Sequence, residues 1–108
     1  MEKHVPSLDR CKQMKELGIE FPDNMFSYVE TINDDWVLRV TKDFYSEPIS
    51  APLVSELLEV MPDGVSIIKG GDFYSVFLDI DSTLRVDDIN LSNALADLLI
   101  YLKDNNDL

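Results

Sequence analysis

The stretch from residue 50 to residue 64, Ser-Ala-Pro-Leu-Val-Ser-Glu-Leu-Leu-Glu-Val-Met-Pro-Asp-Gly, predicts the helix around which the rest of the chain is arranged. Ser50 can cap this helix, and Pro52 falls in its first turn, where a missing N–H costs nothing. Pro62 ends the helix, and the Asp-Gly pair after it turns the chain. Between these limits, apolar residues recur at helical spacing and form one stripe, namely Val54, Leu57, Leu58 and Met61.

Two more helices are predicted near the two ends of the chain. The first, roughly residues 8–17, has Ser7 as its cap. Gly18 fits the left-handed backbone position that follows a last helical turn. The last helix, roughly residues 91–104, carries a broad apolar stripe that consists of Leu91, Ala94, Leu95, Leu98, Leu99 and Leu102.

Strand-like segments lie on both sides of the middle helix. Residues 25–31 and 36–41 are rich in aromatic and β-branched types and are separated by a polar turn, which predicts an antiparallel hairpin. Residues 65–69 and 72–80 flank Gly70-Gly71, a two-residue loop that can adopt the positive φ values of a type I′ turn. A second hairpin is therefore predicted after the middle helix.

These elements predict an α+β protein in the order α-β-β-α-β-β-α. Two hairpins would form a four-stranded antiparallel sheet, and three helices would cover mainly one of its faces in a two-layer arrangement. The 108 residues are enough for one domain with one core and too few for two, so a single domain is predicted over residues 1–108.

The charge of the chain is strongly acidic and unevenly distributed. The formal net charge is −12, from 21 acidic and 9 basic residues. Residues 1–22 are neutral, so the rest of the chain carries the whole imbalance. Such a surface repels nucleic acid and anionic membranes, which predicts no direct partner of either kind. Two interpretations stay open: the charge keeps the protein soluble, or it competes with nucleic acid for a basic protein.

Cys11 is the only cysteine, so no intramolecular disulfide can form, and a reducing, cytoplasmic compartment is expected. No apolar run approaches the roughly 20 residues that a membrane-spanning helix needs. The N-terminal residues lack the apolar core of a signal peptide. The sequence therefore predicts a cytoplasmic protein.

The segment Asp79-Ile80-Asp81-Ser82-Thr83 is the most tempting catalytic motif. It resembles the nucleophile signature of haloacid-dehalogenase-type phosphotransferases, in which the first Asp attacks phosphorus and the second acts as acid and base. That family places the motif on the first strand of a large parallel sheet, whereas only 25 residues follow Thr83 here. The interpretation is therefore rejected, and the end of a strand followed by a polar turn is predicted instead.

The sequence contains no pattern typical of a zinc site, a catalytic nucleophile or a phosphate-binding loop. His4 is the sole histidine, so neither a zinc cluster nor a Ser-His or Cys-His pair is predicted. The glycines all fall in predicted turns rather than in a phosphate-binding loop. We predict no enzyme activity, no cofactor and no dedicated metal site. Whether a hard cation binds weakly stays open for four carboxylates near the end of the last strand, Asp79, Asp81, Asp87 and Asp88.

The predicted sheet contains more aromatic side chains than the one face covered by helices can bury. In residues 72–80, Tyr74, Val76, Leu78 and Ile80 alternate with Phe73, Ser75, Phe77 and Asp79, and the first set is the better core face. The second set would leave two phenylalanines on the open face, unless residues 42–50 cover it. An exposed apolar patch on a small protein usually marks a partner surface. The predicted partner surface comprises Tyr28, Trp36, Phe73, Phe77, Asp79 and Asp81.

Several segments together resemble a family of small hypothetical proteins carried by bacterial phages, prophages and mobile elements, common among gut bacteria. The resemblance covers most of the chain and rests on residues 11–19, 25–28, 49–58, 61–64 and 94–102. It implies a bacterial or phage origin and an intracellular setting, and it implies no catalytic residues.

The sequence therefore predicts a non-enzymatic module that binds a protein partner or associates with itself, and a homodimer is one form of the second option. One alternative is an acidic nucleic-acid mimic that inhibits a basic host or defence protein. Another is a weak metal-dependent hydrolase that uses Asp79 and Asp81. Every polar residue of the middle stretch has a structural or solvent-facing place, with Glu56 and Glu59 predicted to face water, so function is expected elsewhere.

Overall fold

The computed structural model describes residues 4–21, 24–31, 33–40, 48–78 and 81–105. Its three helices are α1 (Leu8–Glu16), α2 (Val54–Val60) and α3 (Leu91–Asp104). Its six strands are β1 (Phe26–Glu30), β2 (Trp36–Arg39), β3 (Ile49–Ala51), β4 (Val65–Gly70), β5 (Phe73–Leu78) and β6 (Asp81–Asp88).

The strands form two antiparallel sheets of three strands each. The first sheet has the order β2-β1-β3, and the second has the order β4-β5-β6. The α+β class and the three helices are confirmed. The single four-stranded sheet and the order α-β-β-α-β-β-α are wrong, because each predicted hairpin gains a third strand and the observed order is α-β-β-β-α-β-β-β-α.

The sequence predicts a loop over residues 42–50, and the third strand of the first sheet (Ile49–Ala51) begins near its end. Ile49 and Ala51 are buried, and they pair with Tyr28 and Phe26 of β1. Three residues between two prolines carry almost no local strand signal, so only the pairing with β1 creates this strand. The rest of that predicted loop, residues 42–47, lies outside the described residues.

The third strand of the second sheet replaces the predicted polar turn over residues 81–90. Val86 pairs with Val76, and Arg85 with Phe77, while the register shifts between Phe77 and Leu78. Leu84 and Val86 pack against the core. Arg85 between them and Asp87 after them hide this alternation in the sequence, because an edge strand can direct charged side chains outward at every second position.

The local signals of α1 are confirmed. Ser7 Oγ accepts a hydrogen bond from the Arg10 amide at 3.4 Å. The Ile19 amide donates to the Met14 carbonyl at 3.0 Å, and Gly18 has a φ of 78°. This is the left-handed termination that the glycine predicts.

The start of α2 differs from its prediction. Ser50 lies in β3 and does not cap the helix, which begins after Leu53. Glu56 accepts hydrogen bonds from the Leu53 amide at 2.7 Å and from the Met25 amide at 3.0 Å. The prediction that Glu56 faces water is therefore wrong, because its carboxylate ties the first turn of α2 to the start of the first sheet.

The core is built around α3. Eight of its fourteen residues are buried, and seven of these belong to one apolar cluster that also includes side chains from α1, α2 and both sheets. The predicted core face of β5 is confirmed at Val76 and Leu78, which are buried. None of the helices in the described ranges has the length and apolar content that a membrane span requires.

Candidate functional site

The second sheet has one face on the core and one face toward solvent. The helix α3 packs against β5 and β6 on the side of Val76 and Leu78. The strand register places the other set of side chains on the opposite side. We call this opposite side the outward face, and its residues are Ser66, Ile68, Phe73, Ser75, Phe77, Arg85 and Asp87.

Apolar side chains flank the outward face. Ile68 is 55% exposed and Phe73 is 41% exposed, while Phe77 is half-buried. Phe73 and Phe77 thus share the face that the alternation of β5 predicts. Ile68 joins them from the neighbouring strand, where it lies opposite Ser75.

The centre of the outward face is a polar cluster that links β5 to β6. The Ser75 hydroxyl donates to Asp87 Oδ1 at 2.5 Å. Arg85 donates from Nε to Asp87 Oδ1 and from Nη2 to Ser75 Oγ, both at 3.0 Å. The hydrogen bond from Ser75, and then that from Arg85, lower the pKa of Asp87.

This cluster is poorly suited to nucleophilic catalysis. A carboxylate with a lowered pKa is a weak base and would activate the Ser75 hydroxyl little. Asp87 has its charge balanced by Arg85 at 3.0 Å. The arrangement stabilises the pairing of the two strands and gives the apolar face a neutral polar centre.

The edge of the second sheet at β4 is the other notable feature. Among the described residues, β4 has β5 as its only neighbour. Ile67 is 39% exposed on the core side of this strand, and Ile68 is exposed on the outward side. The strand contains one charged residue, Lys69, whose Nζ lies 5.9 Å from the centroid of the Tyr74 ring.

A protein rarely leaves such an edge unprotected. Unpaired N–H and C=O groups along an apolar edge strand form a template for another strand, and natural edges are usually blocked by charges, proline or bulges. The pairing of β4 with β5 is regular over six residue pairs, and β4 contains no proline. The edge is therefore suited to accept a further strand.

The other aromatic residues of the predicted partner surface lie in the first sheet. Tyr28 is buried, and its hydroxyl donates to the Pro6 carbonyl at 3.1 Å. Trp36 is half-buried, with Lys12 Nζ 5.0 Å from the centroid of its ring. The structure therefore brings Phe73 and Phe77 together and places Tyr28 and Trp36 away from them.

The acidic part of the predicted surface is described only in part. Asp79 lies outside the described residues, and for Asp81 only the backbone, at the start of β6, is described. Asp88 Oδ2 lies 3.5 Å from Arg10 Nη2, and Arg10 also pairs with Asp97 at 2.8 Å. Within the described ranges, no three His, Cys, Asp or Glu residues cluster as metal ligands would.

Sequence reasoning missed Ile67 and Ile68 as surface residues. The sequence predicts a strand over residues 65–69 without indicating which of its side chains are exposed. A signal was nevertheless present, because two adjacent isoleucines in a strand must point to opposite faces. Only one face of this sheet can pack on α3, so one of the two had to be exposed.

A cleft of about 520 Å³ lies at the start of α3. The rings of His4 and Tyr74 line this cleft together with the apolar side chains of Ile89 and Leu91. Ser92 borders it too, but the Ser92 hydroxyl is buried and has no hydrogen-bond partner among the described residues. The wall residues do not form a charged or metal-binding set.

Comparisons with known proteins found no matching family model, no similar curated protein and no similar solved structure. The resemblance to proteins of phages and mobile elements therefore stays a prediction from the sequence.

Proposed function

We propose that this chain is a non-enzymatic protein-binding module that binds through its second sheet, at the outward face and the adjoining edge of β4. The observation that carries the proposal is the exposure of Ile67 and Ile68 on the two sides of an edge strand. A partner strand at this edge would satisfy the open backbone groups and cover both side chains.

The polar centre of the outward face fits this role. Interfaces combine apolar contact with a limited number of polar groups that set orientation. Here Ile68 and Phe73 supply the apolar contact, and the exposed pair of Arg85 and Asp87, which is hydrogen bonded to the buried Ser75, supplies donors and acceptors whose charges balance. A partner can cover this face without leaving an isolated charge buried.

The net charge of −12 bears on the choice of partner. Among partners other than a second copy of the chain, it favours a basic protein at long range and raises the association rate with one. The nucleic-acid mimic is favoured by no further observation, since Asp87 and Asp88 are engaged by Arg85 and Arg10. The hydrolase that would use Asp79 and Asp81 likewise gains no support from the described residues.

Charge insertion at the edge tests the proposal. We expect Ile68→Lys to abolish association of the tagged full chain, because a cation would be forced against apolar partner atoms. Ile89→Lys is the matched control, since Ile89 is 79% exposed and lies in the turn before α3, away from the β4 edge. Light scattering reports self-association, and a pull-down from bacterial lysate reports other partners.

Both variants should keep the circular dichroism and thermal midpoint of the wild type, because both positions are exposed. A chain that stays strictly monomeric and retains no protein would contradict the proposal. Association that survives Ile68→Lys as well as it survives Ile89→Lys would contradict the assigned surface.

A further inference from the structure

We propose that the partner at the β4 edge is a second copy of this chain, with the two β4 strands antiparallel and related by a two-fold axis at Ser66. The two second sheets would then join into one sheet of six strands. This inference rests on the proposed function and names its partner.

Backbone geometry limits the registers that two copies can adopt. The hairpin of β4 and β5 closes on the pair Gly70 and Phe73 around the loop Gly71-Asp72. The pair that closes a two-residue loop is hydrogen bonded, and bonded and non-bonded pairs alternate from there. Three residues of β4 therefore direct their backbone N–H and C=O groups away from β5, to the edge that has no other strand among the described residues, namely Val65, Ile67 and Lys69.

Only registers that pair these three residues with one another form hydrogen bonds between the copies. An axis at Ser66 pairs Ile67 of each copy with Val65 of the other. Both side chains lie on the core side of the sheet, since they face Val76 and Leu78 of β5. Cross-strand pairs of β-branched residues are favourable, and these two would cover each other's exposed surface.

Charge selects this register from the others. Asp63 precedes β4 and Lys69 is near its end, so an antiparallel pair about Ser66 brings Lys69 of each copy near Asp63 of the other. Moving the axis to Ile67 or Ile68 would instead set Lys69 against the apolar Val65 or Ile67. An acid before a strand and a base near its end are self-complementary in an antiparallel pair.

The net charge of −12 opposes association at long range, although β4 itself contains no acidic residue. Salt screens charges separated by more than about 10 Å at 0.1 M ionic strength. The Lys69–Asp63 pairs between the copies, which the same salt weakens, are small beside the repulsion between two acidic chains. The dimer should therefore become tighter when NaCl rises from about 20 mM to about 150 mM, the opposite of what a basic partner would show.

Cysteine cross-linking tests the register. In the proposed dimer the two Ser66 residues form a non-bonded antiparallel pair with Cα atoms about 4.5 Å apart, within the range of disulfides. Ser66→Cys should therefore give a disulfide-linked dimer on mild oxidation. Ile68→Cys should not, because its two copies would be four residues out of register, about 13 Å apart along the strand. Wild type is the control, since its sole cysteine is buried.

A charge exchange tests the contact itself. Lys69→Asp should weaken dimerisation roughly tenfold, since two attractive pairs become repulsive. Adding Asp63→Lys to the same chain should restore it, because a two-fold dimer recovers both pairs. Sedimentation equilibrium measures both constants.

The inference is overturned if Ile68→Cys cross-links in preference to Ser66→Cys, if the double exchange fails to restore association, or if the wild type stays monomeric. The proposed function survives a monomeric result if the wild type retains another protein that Ile68→Lys does not. It fails with the inference if the wild type retains nothing.

Discussion

Replacing Ser92 by alanine should stabilise the protein. The Ser92 side chain is 1% exposed, and its hydroxyl has no hydrogen-bond partner among the described residues. Burying a hydroxyl without a hydrogen bond costs about 1–3 kcal/mol in proteins. Alanine also has the higher helix propensity, by up to about 0.5 kcal/mol. We expect the free energy of unfolding to rise by about 1–2 kcal/mol after a small loss of packing is allowed for.

Urea denaturation measures this change, and the Tm should rise by about 5 to 10 °C for a chain of this size. Ser55→Ala is a matched control, because Ser55 occupies the same second position of α2 and is exposed. It gains the same helix propensity without the burial contribution, so its stability should change by no more than about 0.5 kcal/mol.

The difference between the two variants isolates the cost of the buried hydroxyl. If Ser92→Ala lowers stability, or changes it no more than Ser55→Ala does, the hydroxyl has a hydrogen-bond partner in the folded protein and the reasoning is refuted. An unchanged denaturant slope would show that the variants unfold from the same compact state.

Three further changes have expected outcomes. Glu56→Ala should lower the free energy of unfolding by about 1–2 kcal/mol, because two backbone amides lose their carboxylate acceptor. Glu59→Ala, on the exposed side of α2, should have little effect in the same denaturation assay. The pKa of Asp87 is lowered in the folded state, so the stability that its carboxylate contributes is present above the unfolded pKa and is lost as pH falls through the folded pKa. Arg85→Leu removes one of the hydrogen bonds that lower this pKa, and carboxyl NMR should show the pKa of Asp87 rising in that variant. Burial raises the pKa of the Cys11 thiol to about 12, so a thiol reagent should modify the native chain far more slowly than the urea-unfolded chain, and equal rates would show that the thiol is accessible.

Local sequence signals predicted the helices because their causes are local. The caps and terminating residues act within a few positions, as the hydrogen bonds at Ser7 and Ile19 show. The same holds for the hairpin of β4 and β5, although its loop is Gly71-Asp72 rather than Gly70-Gly71, because Gly70 still pairs with Phe73.

The missing strands have non-local causes. Ile49 is in a strand because it pairs with Tyr28, which is distant in sequence, and three residues between prolines predict nothing by themselves. The strand β6 carries charges at alternate positions because its outward side faces water, and in the sequence those charges indicated a turn. The prediction that Ser50 caps α2 is wrong for the same reason, since Ser50 is paired in β3 and therefore cannot begin a helix.

The candidate site was predicted in one half only. The alternation of β5 placed Phe73 and Phe77 on one face, which depends solely on the period of a strand. The sequence could not predict that β4 lies at the edge of its sheet, because an edge is defined by the lack of a neighbouring strand, which depends on the tertiary arrangement. In the predicted four-stranded sheet, nothing in the residues stated which strand lies outside.

The sequence by itself determined the α+β class, the three helices, the alternation of β5 and the acidic charge, since each depends on residue type and short-range spacing. Only the tertiary structure decided that the strands divide into two sheets, that Glu56 holds α2 to the start of β1, and that β4 has no second neighbouring strand among the described residues. The physical reason is that pairing and burial are shared between residues far apart in the chain, so their outcome belongs to the packed molecule and not to any one segment.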